Sequence, residues 1–110
     1  LWQTACEALT EAVQAPWVLL SAGVDFEVFC QQVEIACKAG ASGFIVGRAV
    51  WGDACTLPAE ACDNWLKSTG RQRLQRLHAI ATQYATSWAT IYQPAPVTTA
   101  WFAEYPDFTQ

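Results

Sequence analysis

An α/β fold built around a parallel strand pair is the class this sequence predicts, and three observations predict it. Two short apolar runs, Trp17-Val18-Leu19-Leu20-Ser21 and Ser42-Gly43-Phe44-Ile45-Val46, stand on either side of a stretch with helical periodicity. The connections between the three are short, and strand, helix, strand in that order is the signature of a right-handed parallel unit. Further helical segments precede the first run and follow the second, as the covering layers of such a sheet would.

Each element follows from local chemistry. Leu1, Ala5, Ala8, Leu9 and Ala12 recur at helical spacing, so residues 1 to 14 predict an amphipathic helix that packs on the sheet and ends before Pro16. Residues 17 to 21 predict a fully buried strand, because a short apolar run with Trp and Val is bounded by Pro and by Ser-Ala-Gly. From Asp25 to Ala39, the residues Phe26, Phe29, Cys30, Val33 and Cys37 keep the three-and-four rhythm, with Asp25 placed to cap the first turn and Gly40 to stop the last. Residues 42 to 46 predict the second strand. Beyond Trp51 the chain turns to loop and short helix, with Pro58 in a first turn and Gly70 as a stop. A long helix then spans residues 71 to 91, with Leu74, Leu77, Ala81, Tyr84 and Trp88 along one stripe. The tail from Gln93 carries Pro94, Pro96 and Pro106 among Trp101, Phe102, Tyr105 and Phe108, and predicts extended or irregular chain.

Composition bounds the partners. At 110 residues and 53% hydrophobic content the chain has material for one modest core. A two-stranded parallel sheet nevertheless exposes faces and edges unless further elements cover them, so an incomplete unit is expected. A chain that starts at Leu1 in helical rhythm and has no Met is also expected to be a piece of a longer polypeptide. The net charge of −4 argues against nucleic-acid or anionic-membrane partners, since both select clustered Lys and Arg. No apolar run approaches the ~20 residues that span a bilayer, so a soluble protein is expected. Five cysteines, Cys6, Cys30, Cys37, Cys55 and Cys62, contain no C-x-x-C pair and predict reduced thiols. The single His78 lies far from any of them, so no metal site is expected.

The chemistry gathers at the two strand ends. In parallel α/β folds ligands bind at the carboxyl ends of strands, where this chain places Ser21-Ala22-Gly23 and Gly47-Arg48. Glycine lets backbone approach an anion and adopt positive φ, so that successive N–H groups point the same way. Ser21 adds a hydroxyl donor, and Arg48 can bond two phosphate oxygens at once. Either glycine alone reads more simply as a turn; the pairing across neighbouring strand ends is what points to an anion.

These residues carry a resemblance. Leu20-Ser21-Ala22-Gly23-Val24, then Lys38-Ala39-Gly40-Ala41, Gly47-Arg48-Ala49-Val50-Trp51 and, in the last predicted helix, Ala85-Thr86-Ser87-Trp88 occur in the order found in the C-terminal part of the tagatose 1,6-diphosphate aldolase family. The sequence is also similar to the related sulfofructosephosphate aldolases. The resemblance covers residues 15 to 90, and the tail after Tyr92 departs from the family pattern. It implies a (β/α)8 TIM barrel, incomplete in these residues, of which residues 1 to 92 supply the end of the sixth unit and the seventh and eighth units, with residues 93 to 110 as an appended tail. It further implies a class I aldolase that uses a lysine Schiff base and no metal cofactor, acting in the cytoplasm. Tagatose 1,6-bisphosphate would be cleaved reversibly to dihydroxyacetone phosphate and glyceraldehyde 3-phosphate.

Carried over residue by residue, Ser21, Ala22 and Gly23 would form the phosphate loop of the seventh strand, and Gly47 with Arg48 the half contributed by the eighth. The catalytic lysine is expected upstream of residue 1, so this part alone would bind phosphate without activity. Lys38 and Lys67 sit on helices and read as solvated residues; Glu27, Glu34 and Asp53 receive no catalytic role. His78 reads as structural or partly exposed, and Trp51 as packing beneath the loop. The expected partners are a phosphorylated sugar and, for the whole protein, a second copy of itself in a homo-oligomer. A sulfosugar-phosphate aldolase and a non-catalytic phosphosugar-binding module are the alternative readings.

Overall fold

A computed structural model describes residues 1–104 of the chain. Its order is α1 (Trp2–Ala12), β1 (Val18–Leu20), α2 (Phe26–Lys38), β2 (Gly43–Ile45), α3 (Arg48–Trp51), α4 (Ala59–Trp65) and α5 (Arg71–Tyr84), with short 3-10 turns at Gly52–Thr56, Trp88–Thr90 and Trp101–Glu104. The two strands pair in parallel, with Val18 opposite Gly43 and Leu20 opposite Ile45. The class is therefore α/β, with α2 as the crossover.

The core lies between α2 and its neighbours. Phe29, Val33, Ala36 and Cys37 of α2 are buried together with Leu77 of α5 and Ala49 and Val50 of α3. Phe29 meets Phe44 of β2 edge to face, at 6.3 Å and 84°, which seats α2 on one face of the sheet. The ends of α2 follow local chemistry. Asp25 Oδ1 accepts from the Glu27 N–H at 2.9 Å at the first turn, and Gly40 follows the last turn with φ of +114°. Cβ at Gly40 would sit 2.6 Å from Thr10 Cγ2. That closeness reflects a tie between α1 and the α2–β2 connection: Thr10 Oγ1 donates to the Ala39 carbonyl at 2.6 Å and accepts from Trp17 Nε1 at 3.0 Å.

Four sequence expectations are corrected. The strands are not fully buried: Leu20 is 61% and Ile45 57% exposed, because α2 covers one sheet face and no described element covers the other. Likewise α1 buries only Cys6, and its Leu9 and the preceding Leu1 stay exposed beside Trp17 and Leu19, because α1 packs on α2 rather than across the bare sheet face. Gly70 does not stop a helix. The chain passes from α4 through a π-helical turn at Leu66–Gly70 straight into α5, and Gly70 keeps helical angles of φ −60° and ψ −45°. A Cβ there would lie 3.4 Å from the Trp65 ring, in ordinary contact, so neither backbone angle nor space demands glycine at this position. The last helix ends at Tyr84, not residue 91; Ala85 turns extended, and the Thr86 N–H donates to the Ala41 carbonyl at 3.0 Å. Ala85-Thr86-Ser87 is thus a connection, Leu77 is the buried anchor of α5, and Leu74 and Trp88 face outward.

Past Tyr92 the described tail is irregular up to the turn at Trp101–Glu104, with Val97 and Phe102 exposed. Tyr105, Pro106 and Phe108, read as part of the same tail, lie outside the described residues. The radius of gyration is 18.2 Å, against about 13 Å for a compact chain of similar length. No helix among the described residues is long and apolar enough to cross a membrane.

Two outcomes follow from this packing. Leu77→Ala empties a site that is fully buried between α5 and α2, and should cost about 2–5 kcal/mol of stability in urea unfolding. Burial raises the pKa of Cys6, Cys30 and Cys37, so these thiols stay protonated and shielded near pH 8. Brief alkylation of the native protein should therefore label the exposed Cys55 first and the half-buried Cys62 next, and peptide mass mapping reads the order.

Candidate anion site at the strand ends

Register brings the two predicted loops level. The ladder continues one step past β1, where the Ser21 N–H donates to the Ile45 carbonyl at 3.1 Å. The chain then reverses in a tight turn closed by Val24 N–H to the Ser21 carbonyl at 3.2 Å. Both central residues are left-handed, Ala22 at φ +52° and Gly23 at +76°. Gly23 tolerates this freely, whereas Ala22 is the only non-glycine residue with positive φ among those described, the kind of local strain that collects at binding sites. Ser21 itself is buried, and its hydroxyl makes no hydrogen bond to any described residue.

On the second strand, Gly47 leads into α3 with φ −136° and ψ −104°, and its carbonyl accepts from the N–H groups of Val50 and Trp51. Arg48 opens that turn and reaches back across the strand ends. A Cβ on Gly23 would lie 2.7 Å from Arg48 Nη2 and 3.0 Å from Cζ, so the guanidinium rests directly over the glycine. Ser21, Ala22 and Gly23 are therefore brought together with Gly47 and Arg48 in one place. The amide N–H groups of Ala22 and Gly23, and of Arg48 and Ala49, donate to no acceptor among the described residues.

A cavity of about 260 Å³ opens beside them, with Gly23, Asp25, Arg48, Asp53 and Arg73 in its lining. Formal charges there balance, but they are not equivalent. Asp53 Oδ2 pairs with Arg73 Nη2 at 2.8 Å, and Asp25 is engaged as the cap of α2. The Arg48 guanidinium makes no ion pair or hydrogen bond among the described residues and remains the cation available to an anion. Trp51 lies against the loop, with indole Nε1 3.7 Å from where a Gly47 Cβ would be, and keeps its outer side in solvent at 44% exposure. The exposed side follows from α3 turning Ala49 and Val50 to the core.

Both lysines are occupied elsewhere. Lys38 pairs with Glu34 at 2.6 Å and lies over the Tyr84 ring, and the Glu34 hydrogen bond raises its pKa; Lys67 pairs with Asp63 at 2.6 Å. His78 is exposed, with Nε2 3.5 Å from the Thr82 hydroxyl. Among the described residues no cluster of three or more His, Cys, Asp or Glu could hold a metal. The residue that sequence reasoning passed over is Arg73. It reaches the site from α5, in a basic run Arg71, Arg73, Arg76 whose spacing signals only a charged helix face.

Comparison with known proteins places this geometry in a family context. The family model described as "DeoC/LacD family aldolase" matches residues 3–53, a span that contains both strands and both loops. The chain is similar to these aldolases. Tagatose 1,6-diphosphate aldolase 1 of Enterococcus faecalis is 39% identical over 85 residues, which cover 71% of this chain and 26% of the relative. Tagatose 1,6-diphosphate aldolase 2 of Streptococcus agalactiae is 36% identical over 84 residues, again 71% and 26%. Tagatose 1,6-diphosphate aldolase of Staphylococcus aureus is 36% identical over 83 residues, covering 70% and 26%. The chain thus spans about a quarter of the length of the aldolases it matches. Arg73 lies beyond the segment matched by the DeoC/LacD model.

The close approach of Gly23 to Arg48 makes the site sensitive to a single methyl. Gly23→Ala adds a Cβ where the guanidinium lies and holds an L-residue at φ +76°. The guanidinium should yield first, being flexible, so the expected result is a loss of phosphate affinity of about tenfold, with a destabilisation near 1 kcal/mol. Titration calorimetry with inorganic phosphate measures the first, and thermal unfolding the second. Ala22→Gly, which relieves the neighbouring strain, should leave phosphate affinity within about twofold.

Proposed function

We propose that this chain is the C-terminal part of a class I ketose-bisphosphate aldolase, and that its two strand-end loops hold a phosphate of tagatose 1,6-bisphosphate. The observation that carries the reading is the Arg48 guanidinium, unpaired among the described residues, lying over Gly23 at the junction of two strand ends held level by the sheet. The relatives, tagatose 1,6-diphosphate aldolases, suggest the substrate.

In this reading residues 1–92 are a segment of a (β/α)8 barrel, with residues 93–110 appended. Support comes from the bare sheet face. Val18, Leu20 and Ile45 are exposed apolar residues pointing away from α2, as the interior-facing residues of a barrel would be before its other strands close over them. Parallel pairing with a helical crossover is the repeating unit of that fold.

The chemistry divides accordingly. Ser21, Ala22, Gly23, Gly47 and Arg48 anchor the phosphate and so fix the ketose carbonyl relative to an attacking amine; they do not break the carbon–carbon bond. That amine is a lysine outside residues 1–110, since Lys38 and Lys67 are exposed and committed to neighbouring carboxylates. It condenses with the carbonyl, losing water, and the resulting iminium accepts the electron pair of the cleaved bond. The phosphate contact is made alike in the bound substrate and the transition state, so its loss appears chiefly as a raised KM.

The test uses the natural full-length protein. Borohydride in the presence of dihydroxyacetone phosphate should fix a mass adduct on one lysine, and chelators should leave cleavage of tagatose 1,6-bisphosphate intact. Absence of an adduct, with activity lost to chelation, would overturn the Schiff-base reading. Arg48→Ala should raise KM by about 10–100-fold, the equivalent of one charged hydrogen-bonding interaction of about 1.5–3 kcal/mol. Unchanged kinetics in that variant would remove the phosphate assignment.

A further inference from the structure

We infer that Arg73 is a positioning residue for the anion site: its guanidinium clamps the turn that carries Arg48 and so sets where Arg48 lies over Gly23. The inference rests on the phosphate reading of that site and extends it to a residue outside both strand-end loops.

Arg48 has no side-chain partner among the described residues, so its placement depends on the backbone beneath it. The four-residue α3 runs straight into the 3-10 turn Gly52–Thr56 and is seated by the buried Ala49 and Val50, and its last carbonyls take further donors from another helix. Arg73 supplies them. Nη1 donates to the Ala49 carbonyl at 3.2 Å and to the Val50 carbonyl at 3.3 Å, while Nη2 pairs with Asp53 at 2.8 Å. The two carbonyls belong to the residues immediately after Arg48.

The clamp is itself held. The Arg73 guanidinium lies 5.0 Å from the ring centroid of Phe26, in the first turn of α2, and 5.0 Å from that of Trp65, at the end of α4. Its side chain is 22% exposed, whereas that of neighbouring Arg76, paired with Glu27 across α2 and α5, is 51% exposed. One planar cation therefore joins the starts of α2 and α5 and the end of α4 to the turn of α3. Its hydrogen bonds are spent on protein acceptors, which makes its role at the cavity indirect. Lysine, a point charge without the planar fork, cannot reproduce two carbonyl bonds, a carboxylate bond and two ring contacts together.

The test is a double-mutant cycle in the full-length protein, read by equilibrium dialysis with radiolabelled inorganic phosphate and by thermal unfolding. Arg48→Ala should weaken phosphate about tenfold or more, and Arg73→Lys, which keeps the charge and the stem, about fivefold with a cooperative melt. The double variant should bind no more weakly than Arg48→Ala alone, because Arg73 acts through Arg48. With the bisphosphate substrate, Arg73→Lys should raise KM while kcat stays within about twofold. Arg73→Met should bind no better than Arg73→Lys; if it fails to fold, the lysine cycle still decides. Wild-type phosphate affinity in Arg73→Lys, additive losses in the double variant, or a fall in kcat at constant KM would each overturn the inference. Full affinity in Arg48→Ala would instead sink the phosphate reading and the inference with it, so the two failures are distinguished by which single variant is silent.

Discussion

The parallel register of β1 and β2 is the constraint on which the rest depends. Pairing Leu20 with Ile45, and carrying the ladder on through Ser21 N–H to the Ile45 carbonyl, puts two loops that are more than twenty residues apart at one level. A slip of one residue would turn Phe44 away from Phe29 and send the Gly47 turn to the other face. The hydrophobic pairing of α2 with the sheet and the meeting of the two loops are therefore one structural fact seen from two sides.

Around that register, polar contacts supplement apolar packing. The buried core is concentrated on α2, with Leu77 as the anchor from α5, and Ala49 and Val50 of α3 reach it next to the strand ends. These loops are short, and one contains a residue at unfavourable φ. Directed bonds add to that packing: the Asp25 cap, the turn at Ser21–Val24, and the Arg73 fork into the carbonyls of Ala49 and Val50. Among the described residues Arg48 is the cation of the site without a carboxylate, as an exchangeable anion would need.

Local rules read well wherever the deciding interaction was itself local. The start and stop of α2 follow from Asp25 and Gly40, and the existence of both strands and their parallel sense follows from pattern and spacing. The convergence of Ser21–Gly23 with Gly47–Arg48 was legible because parallel strands of equal length must end together. Gly70 was misleading, because glycine signals a helix end only where the chain needs positive φ, and here it keeps helical angles. The last helix was read too long, since nothing in Ala85-Thr86-Ser87-Trp88 forbids helix; it ends because Thr86 finds the Ala41 carbonyl across the fold.

By itself, then, the sequence determined the elements whose causes lie within a few residues: apolar period, capping side chains, and glycines where backbone must turn. It also determined the chemical character of the strand ends. Tertiary structure alone decided which face of the sheet is covered, where α5 stops, and that a cation on α5 closes its fork on the turn that bears Arg48. The physical reason is distance along the chain. Arg73 lies more than twenty residues from Ala49 and Val50, and no local pattern encodes which carbonyls a guanidinium will meet when burial of Leu77 docks its helix.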